Sequence, residues 1–225
     1  WIRCTQSVTL GCNWLVPDEK SDAYQRGRCL SDSLIRREPD AADTPAREKL
    51  VPTAAALRRL VYQLVDIGLP VEPFWQRQNG LAFDLLSSYS EEQRVTIGHA
   101  NGVITIDLVE SLDAYRESLR VRLGEPYRTM LGHFRHEVGH YYQNVLVETG
   151  SGADRYLAEC RDLFGDEQAS YSDAIDRHYT FGAPEDWHNS FISEYATMHP
   201  WEDFAECFAH YLHITDTIDT SREAG

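Results

Sequence analysis

Apolar residues repeat at helical spacing between Tyr127 and Val147, which predicts one long amphipathic helix without a proline. Its apolar positions are Met130, Leu131, Phe134, Val138, Tyr141, Tyr142 and Val145. A second strong helical pattern begins at Pro200, where Trp201, Phe204, Phe208 and Tyr211 are expected on the packed side. An earlier packing helix is predicted from Thr53, its capping residue, to the Gly68-Leu69-Pro70 stop. Leu57, Leu60, Val61, Leu64 and Val65 form its apolar face.

The segments Leu81–Leu86 and Arg94–Val109 are predicted to be strands. Asn101-Gly102 is the expected hairpin turn, because both residues tolerate positive φ. Beyond the turn, Ile104, Ile106 and Leu108 alternate with more polar positions, as in a half-buried strand. We expect Gly102–Val109 to be an edge strand that could bind an extended peptide by strand addition. An interior strand fits the same pattern equally well.

Weaker patterns fill the rest of the chain. Residues 37–45 are expected to be a polar linker, and further helices are predicted near 111–123, 153–164, 167–179 and 185–196. Together these elements predict an α+β fold that is mostly helical with a small antiparallel sheet.

The predicted helix at 127–147 contains the sequence His136-Glu137-Val138-Gly139-His140, an H-E-x-x-H pattern. Residues four apart lie on the same face of a helix, so both imidazoles can bind one metal ion. Zinc accepts imidazole nitrogen, and the adjacent Glu137 could take a proton from a metal-bound water. The pattern therefore predicts a zinc-dependent hydrolase. The alternative is a core helix with two hydrogen-bonded histidines.

The helix that begins at Pro200 supplies candidates for the remaining ligand. Glu202 and Glu206 are four residues apart and share a face, whereas Asp203 points about 100° away from Glu202 and is the weaker candidate. We assign Glu202 as the third zinc ligand and Glu206 as the acceptor that orients a ligating histidine. The alternative is that both are ordinary surface carboxylates of an acidic protein.

The 225-residue chain carries a formal charge of −15, which argues against binding to nucleic acid or to an anionic membrane. No apolar run is long enough to span a bilayer, and residues 1–4 do not begin a signal peptide. The five cysteines are an odd number and widely spaced, which favours the reducing cytoplasm over a secreted disulfide scaffold.

Several segments resemble a bacterial family of zinc-binding metallopeptidases, and the resemblance extends over most of the chain. The matching runs are Pro126-Tyr127-Arg128-Thr129, Gly132 to Tyr142, His199 to Glu206, Cys12 to Pro17, Phe164 to Glu167, and His210 to His213. The segment Glu202-Asp203-Phe204-Ala205-Glu206 is also similar to the E-F-F-A-E of lethal-factor toxin and the pro-Pro endopeptidases. In those gluzincins the first Glu binds zinc, and a Tyr seven residues earlier stabilises the oxyanion. The corresponding residue here is Tyr195, for which a packing role is the alternative.

The resemblance implies a zincin-like peptidase domain at 49–225 and a small zinc-ribbon-like lobe and linker at 1–48. In the family, a fourth Cys follows the third by three residues in this lobe, but this chain has Asp32 there. Cys4, Cys12, Cys29 and Asp32 could still hold a structural zinc, because aspartate oxygen is an acceptable ligand. The alternatives are a site lost with that Cys, or thiols that are simply buried.

The function expected from these features is peptide-bond hydrolysis by a zinc metallopeptidase. His136, His140 and Glu202 would bind the catalytic zinc, Glu137 would be the general base, and the substrate would be a peptide or protein. Two other functions fit the sequence: a zinc amidase or deconjugating hydrolase, and a non-catalytic binding module stabilised by zinc.

Overall fold

The computed structural model describes residues 1–18, 26–91, 94–108, 129–150 and 153–225. The chain divides into two compact units, Trp1–Ser118 and Leu119–Gly225. This division differs from the expected boundary at residues 48 and 49, because residues 1–48 belong to the same unit as the helix and sheet that follow them. The predicted helix at 111–123 lies outside the described residues.

The first unit begins with two short strands, β1 (Ile2–Arg3) and β2 (Leu15–Val16), which pair antiparallel. A one-turn helix, α1 (Leu30–Ser33), follows. Its N-cap is Cys29, whose sulfur accepts a hydrogen bond from the Asp32 amide at 3.4 Å. The cap therefore brings a predicted zinc-binding thiol and Asp32 close together.

The long helix α2 (Thr44–Asp66) begins nine residues before the predicted start at Thr53. Asp43 caps it by accepting a hydrogen bond from the Ala46 amide, and Pro45 lies in the first turn, where its missing N–H costs nothing. Pro52 lies inside the helix, and the prediction that Thr53 caps its start was wrong. The expected linker at 37–45 is correspondingly shorter. Four of the five predicted apolar positions are fully buried, and the fifth, Val65, is exposed.

The main sheet has four strands: β3 (Ile35–Arg37), β4 (Ala82–Leu86), β5 (Gly98–Ala100) and β6 (Val103–Asp107). Their spatial order is β3-β4-β6-β5. The β5–β6 hairpin is antiparallel as predicted, whereas β3–β4 and β4–β6 pair in parallel, which the sequence pattern did not predict. The expectation that Gly102–Val109 forms an edge strand is wrong, because β6 is paired on both sides. Val109 itself lies outside the described residues.

The hairpin turn was predicted correctly. Asn101 and Gly102 both have positive φ, at 50° and 83°. A Cβ at Gly102 would lie only 2.2 Å from the Asn79 carbonyl oxygen, so this position accepts only glycine. The turn therefore fixes the register of β5 on β6.

The second unit is helical in the residues that the structure describes. It contains α3 (Met130–Tyr142), which continues into a π-helix (Gln143–Glu148), then α4 (Ala153–Phe164), α5 (Tyr171–Phe181) and α6 (Pro200–Ala224). The helix predicted at 185–196 is absent. Two single 3₁₀ turns, Trp187–Asn189 and Tyr195–Thr197, occupy that region instead. The helices of the second unit and the four-stranded sheet of the first confirm the predicted α+β class.

Helices α3 and α6 pack against each other, but the buried face of α6 is not the predicted aromatic one. Trp201 and Tyr211 are exposed. The buried side chains of α6 are Glu202, Asp203, Ala205, Ala209 and Leu212. Of these, Ala205 and Glu202 face α3, where they lie against Gly139 and His136. Within the described ranges, no helix has the length and apolar character needed to cross a bilayer.

Candidate metal centre

His136 and His140 on α3 and Glu202 on α6 direct their polar atoms toward one point. One donor atom from each of the three lies within 4.8 Å of the others. Glu202 Oε2 is 3.0 Å from His136 Nε2 and 3.6 Å from His140 Nε2. The spacing of the two histidines and the first turn of α6 therefore produce the predicted convergence.

Glu137 lies beside this group with a buried carboxylate. Its Oε1 is 3.3 Å from His133 Nε2, one helical turn earlier. Its Oε2 is buried, and no group in the described part of the chain gives it a hydrogen bond. A buried acceptor without a donor is costly, so this oxygen is suited to a ligand or a water that the site would bind.

The orientation of His136 is fixed by Glu206. His136 Nδ1 lies 2.7 Å from Glu206 Oε1, which leaves Nε2 directed at Glu202. The other oxygen of Glu206 accepts a hydrogen bond from Ser193 Oγ at 2.8 Å. A carboxylate behind the ring of a histidine is the usual support of a metal-binding imidazole. Ser193 was not identified from the sequence.

Two tyrosines complete the surroundings of Glu202. The Tyr171 hydroxyl, at the start of α5, donates a hydrogen bond of 2.7 Å to Glu202 Oε1. The Tyr195 ring lies 5.9 Å from that of His136. Tyr195 is therefore beside the centre. Tyr171 had no sequence signal, because nothing in its spacing connects it with Glu202.

Burial and hydrogen bonding shift the pKa values of these groups in opposite directions. Burial alone would lower the pKa of His136, but its hydrogen bonds to Glu202 and Glu206 outweigh burial and raise that pKa well above its usual value. Burial would raise the pKa of Glu202, yet its bonds to His136 and His140 lower it. Burial raises the pKa of Tyr195 well above 10, so its phenol stays neutral. The carboxylates are therefore anionic and stabilise positive charge at this point, which a bound metal ion would supply.

Gly139, within the H-E-x-x-H segment, allows α3 and α6 to approach closely. A Cβ at this position would lie 2.9 Å from the Ala205 Cα and 3.3 Å from its Cβ. Backbone atoms of Ala205 cannot move aside without shifting α6, which also contains Glu202 and Glu206.

We expect Gly139→Ala to destabilise the protein by about 1–3 kcal/mol through overpacking, and to weaken metal binding by displacing Glu202. Helix propensity alone would make the variant more stable, because alanine is more favourable than glycine in a helix interior by about 1 kcal/mol. Thermal unfolding with and without zinc measures both effects. A more stable Gly139→Ala protein with unchanged zinc affinity would show that the contact is not tight.

The remaining candidates lie outside the group of three. Asp203 is buried and accepts a hydrogen bond from the Cys207 thiol at 3.6 Å, and burial raises its pKa to about 6. His210 Nδ1 interacts with the Glu206 carbonyl, and His199 caps α6. Asp203, His210 and His199 therefore have contacts of their own and are not needed as metal ligands.

The donors fit a zinc ion by their chemistry. Two imidazole nitrogens and one carboxylate oxygen are a ligand set of catalytic zinc sites, in which three protein ligands leave a position open. The orienting carboxylate of Glu206 and the free, buried oxygen of Glu137 also belong to such a site.

A second cluster lies in the first unit. Cys4, Cys12, Cys29 and Asp32 are all buried and each offers a donor atom within 4.8 Å of the others. The sulfurs of Cys12 and Cys29 are 3.7 Å apart. Burial, followed by a hydrogen bond with Asp32, raises the pKa of Cys12 to about 11. Three thiols and a carboxylate in this geometry could hold a metal ion that favours sulfur.

Comparison with known proteins identifies one family that matches the chain. Residues 47–225 match the family model described as "Putative zinc-binding metallo-peptidase". The chain belongs to this family. The expected resemblance is thereby confirmed, and the matched range contains every member of the His136–His140–Glu202 group. No solved structure matches this member of the metallo-peptidase family.

The relatives of this metallo-peptidase family member include two proteins named as uncharacterized, one from Mycobacterium bovis and one from Mycobacterium tuberculosis. Each is 49% identical over 223 residues, which is 99% of this chain. The chain spans 63% of the length of each relative.

Proposed function

We propose that this chain is a zinc-dependent metallopeptidase that hydrolyses peptide bonds. The observation that carries the proposal is the convergence of His136, His140 and Glu202 next to a buried carboxylate, Glu137, that has a free oxygen. A metal site that only stabilised the fold would not need this carboxylate. Membership of a zinc-binding metallo-peptidase family supports the same reaction class.

His136, His140 and Glu202 would hold the zinc, and Glu206 would keep His136 in the tautomer that presents Nε2. A zinc ion bound at three protein ligands supplies Lewis-acid polarisation of a carbonyl and acidification of water. Tyr171 would keep Glu202 in place by occupying its Oε1, which leaves Oε2 to face the two imidazoles.

Glu137 would act as general base and then as general acid. Interactions with His133, His136 and His140 lower its pKa although burial opposes this, so the carboxylate is ionised and can accept a proton. Its unsatisfied Oε2 is the acceptor atom in this step. The same proton would then pass to the leaving amine, and Glu137 would return to its carboxylate form.

Tyr195 would stabilise the oxyanion of the tetrahedral state. A neutral phenol donates a hydrogen bond without adding charge, and the raised pKa of Tyr195 keeps it neutral at all physiological pH values. Its ring lies 5.9 Å from that of His136, beside the proposed zinc ligands.

The charge of −15 makes a neutral or basic peptide the expected substrate and disfavours nucleic acid and anionic membrane as partners. All five cysteines are free, in keeping with the reducing, cytoplasmic location that we propose.

A digest of a peptide library with mass-spectrometric readout tests the proposal. Zinc-dependent cuts at the backbone of varied peptides, abolished by a chelator and restored by zinc, are expected. Cleavage confined to one side-chain or non-peptide amide would instead identify a deconjugating hydrolase or amidase. No cleavage of any amide by zinc-loaded protein would favour a non-catalytic binding module and overturn the proposal.

A further inference from the structure

Arg58 and Asp32 form an almost completely buried ion pair beside the cysteine cluster. Arg58 Nη1 lies 3.0 Å from Asp32 Oδ1, and the two side chains are 6% and 0% exposed. Arg58 Nη2 also donates to the carbonyl oxygen of Leu10, at 3.1 Å. A guanidinium this deeply buried is tolerated only when it is paired and hydrogen-bonded, so its position is fixed by the fold.

The two oxygens of Asp32 have different surroundings. Oδ1 is bound by Arg58, whereas Oδ2 accepts a hydrogen bond from the Cys4 thiol at 3.3 Å. Arg58 is therefore on one side of the carboxylate, and the sulfur cluster is on the other.

Each of the three sulfurs accepts a backbone hydrogen bond. The Cys29 amide donates to Cys4 Sγ at 3.2 Å, the Trp14 amide to Cys12 Sγ at 3.5 Å, and the Asp32 amide to Cys29 Sγ at 3.4 Å. Amide donors stabilise the thiolate form that a metal ion needs. Burial still raises the pKa of Cys12, so these amide donors would favour the thiolate only once a metal ion offset the cost of burying its charge.

We propose that Arg58 is a positioning residue that makes Asp32 the fourth ligand of a zinc ion bound by Cys4, Cys12 and Cys29. By holding Oδ1, Arg58 leaves Oδ2 directed at the sulfurs and available to the metal. A carboxylate that used one oxygen for zinc would otherwise keep a second oxygen buried without a donor. A thiolate has one donor atom and needs no such partner, so Arg58 satisfies the second oxygen that a carboxylate ligand brings into the site.

The charges support the same role. Three thiolates and one carboxylate carry four formal negative charges, which zinc reduces to two and the Arg58 guanidinium to one. A buried site with a smaller net charge is less costly to form. The site shares no residue with the His136–His140–Glu202 group, and four protein ligands leave no open position, so its role is structural.

Cobalt titration of the full chain tests the proposal, because thiolate-to-cobalt charge-transfer bands report only the cysteine site. The central donors include no sulfur. We expect Arg58→Met to weaken cobalt binding at the cysteine site by about 10–100-fold, the usual effect of losing a residue that orients a ligand. Arg59→Met, at the exposed neighbouring position on α2, is the matched control and should leave the titration unchanged.

Repeating Arg58→Met in an Asp32→Cys background separates positioning from general support of the fold. Arg58→Met loses the hydrogen bond to the Leu10 carbonyl in both backgrounds. The effect of that loss on cobalt affinity therefore cancels in the double-mutant cycle. We expect Asp32→Cys to increase the charge-transfer intensity by about a third, from three thiolates to four, and to make the affinity nearly independent of Arg58.

Three results would overturn the proposal: no charge-transfer band in the wild type, no loss of affinity in Arg58→Met, or an equal loss in both backgrounds. If Arg58→Met does not fold, Arg58→Lys serves instead, because lysine keeps the charge but cannot bind Asp32 and the Leu10 carbonyl with a fixed fork. Its affinity for cobalt should then fall with Asp32 present and stay constant with Cys at that position.

Discussion

Replacing Glu137 by Gln should leave zinc bound and lower turnover by about 10²–10⁴-fold, the range that a positioned general base contributes. Glutamine has nearly the same shape but cannot accept the proton, because its amide oxygen is far less basic than a carboxylate. The change should appear in kcat rather than in zinc content. Initial rates on a peptide identified by the library digest, together with metal analysis of the same sample, measure both.

Glu159→Gln is the matched control for this prediction. Glu159 is exposed on the surface of α4 and forms an ion pair with exposed Arg155, so the same chemical change there should not alter turnover. Glu137→Gln protein with wild-type turnover and full zinc content would exclude Glu137 as the base and would require another proton acceptor at the centre.

Replacing Glu202 by Ala should remove zinc from the centre and abolish activity. The two imidazoles would then lack the anionic ligand, and Tyr171 would lose its acceptor. Removing one of three protein ligands is expected to weaken zinc binding by at least the 10–100-fold seen for supporting residues. Zinc affinity is measured by competition with a chromophoric chelator, and activity on the same peptide.

Asp203→Ala provides the comparison, since the neighbouring carboxylate is also buried on α6 but belongs to no metal-binding group among the described residues. It should retain zinc and activity while changing stability. Equal loss of zinc in both variants would show that the loss reflects damage to α6 rather than removal of a ligand.

The central group could be predicted because local geometry determines most of it. The four-residue spacing of His136 and His140, and that of Glu202 and Glu206, each give one helix face whatever the rest of the fold does. Only the packing of the two helices against each other depends on tertiary structure. The small residues Gly139 and Ala205 explain how the helices can approach so closely. In the structure the two faces do meet, with Glu206 behind His136.

Features that depend on distant segments were missed or mistaken. Tyr171 reaches Glu202 across 31 residues of sequence, and Arg58 reaches Asp32 across 26, so no short-range pattern could reveal either pair. The strand at Val103–Asp107 was placed at an edge because alternation reports which faces are buried and not how many neighbours a strand has. The start of α2 was misplaced because Thr53 has a side chain typical of a helix cap, whereas in the structure Asp43 caps the helix.

The most direct test of the central claim is the zinc content of purified protein, wild type against His136→Ala. We expect the variant to contain one zinc atom fewer per chain, with the remainder assigned to the cysteine site by its persistence in His136→Ala and its loss in Cys12→Ala. An unchanged zinc content in folded His136→Ala protein would contradict a metal centre at His136, His140 and Glu202.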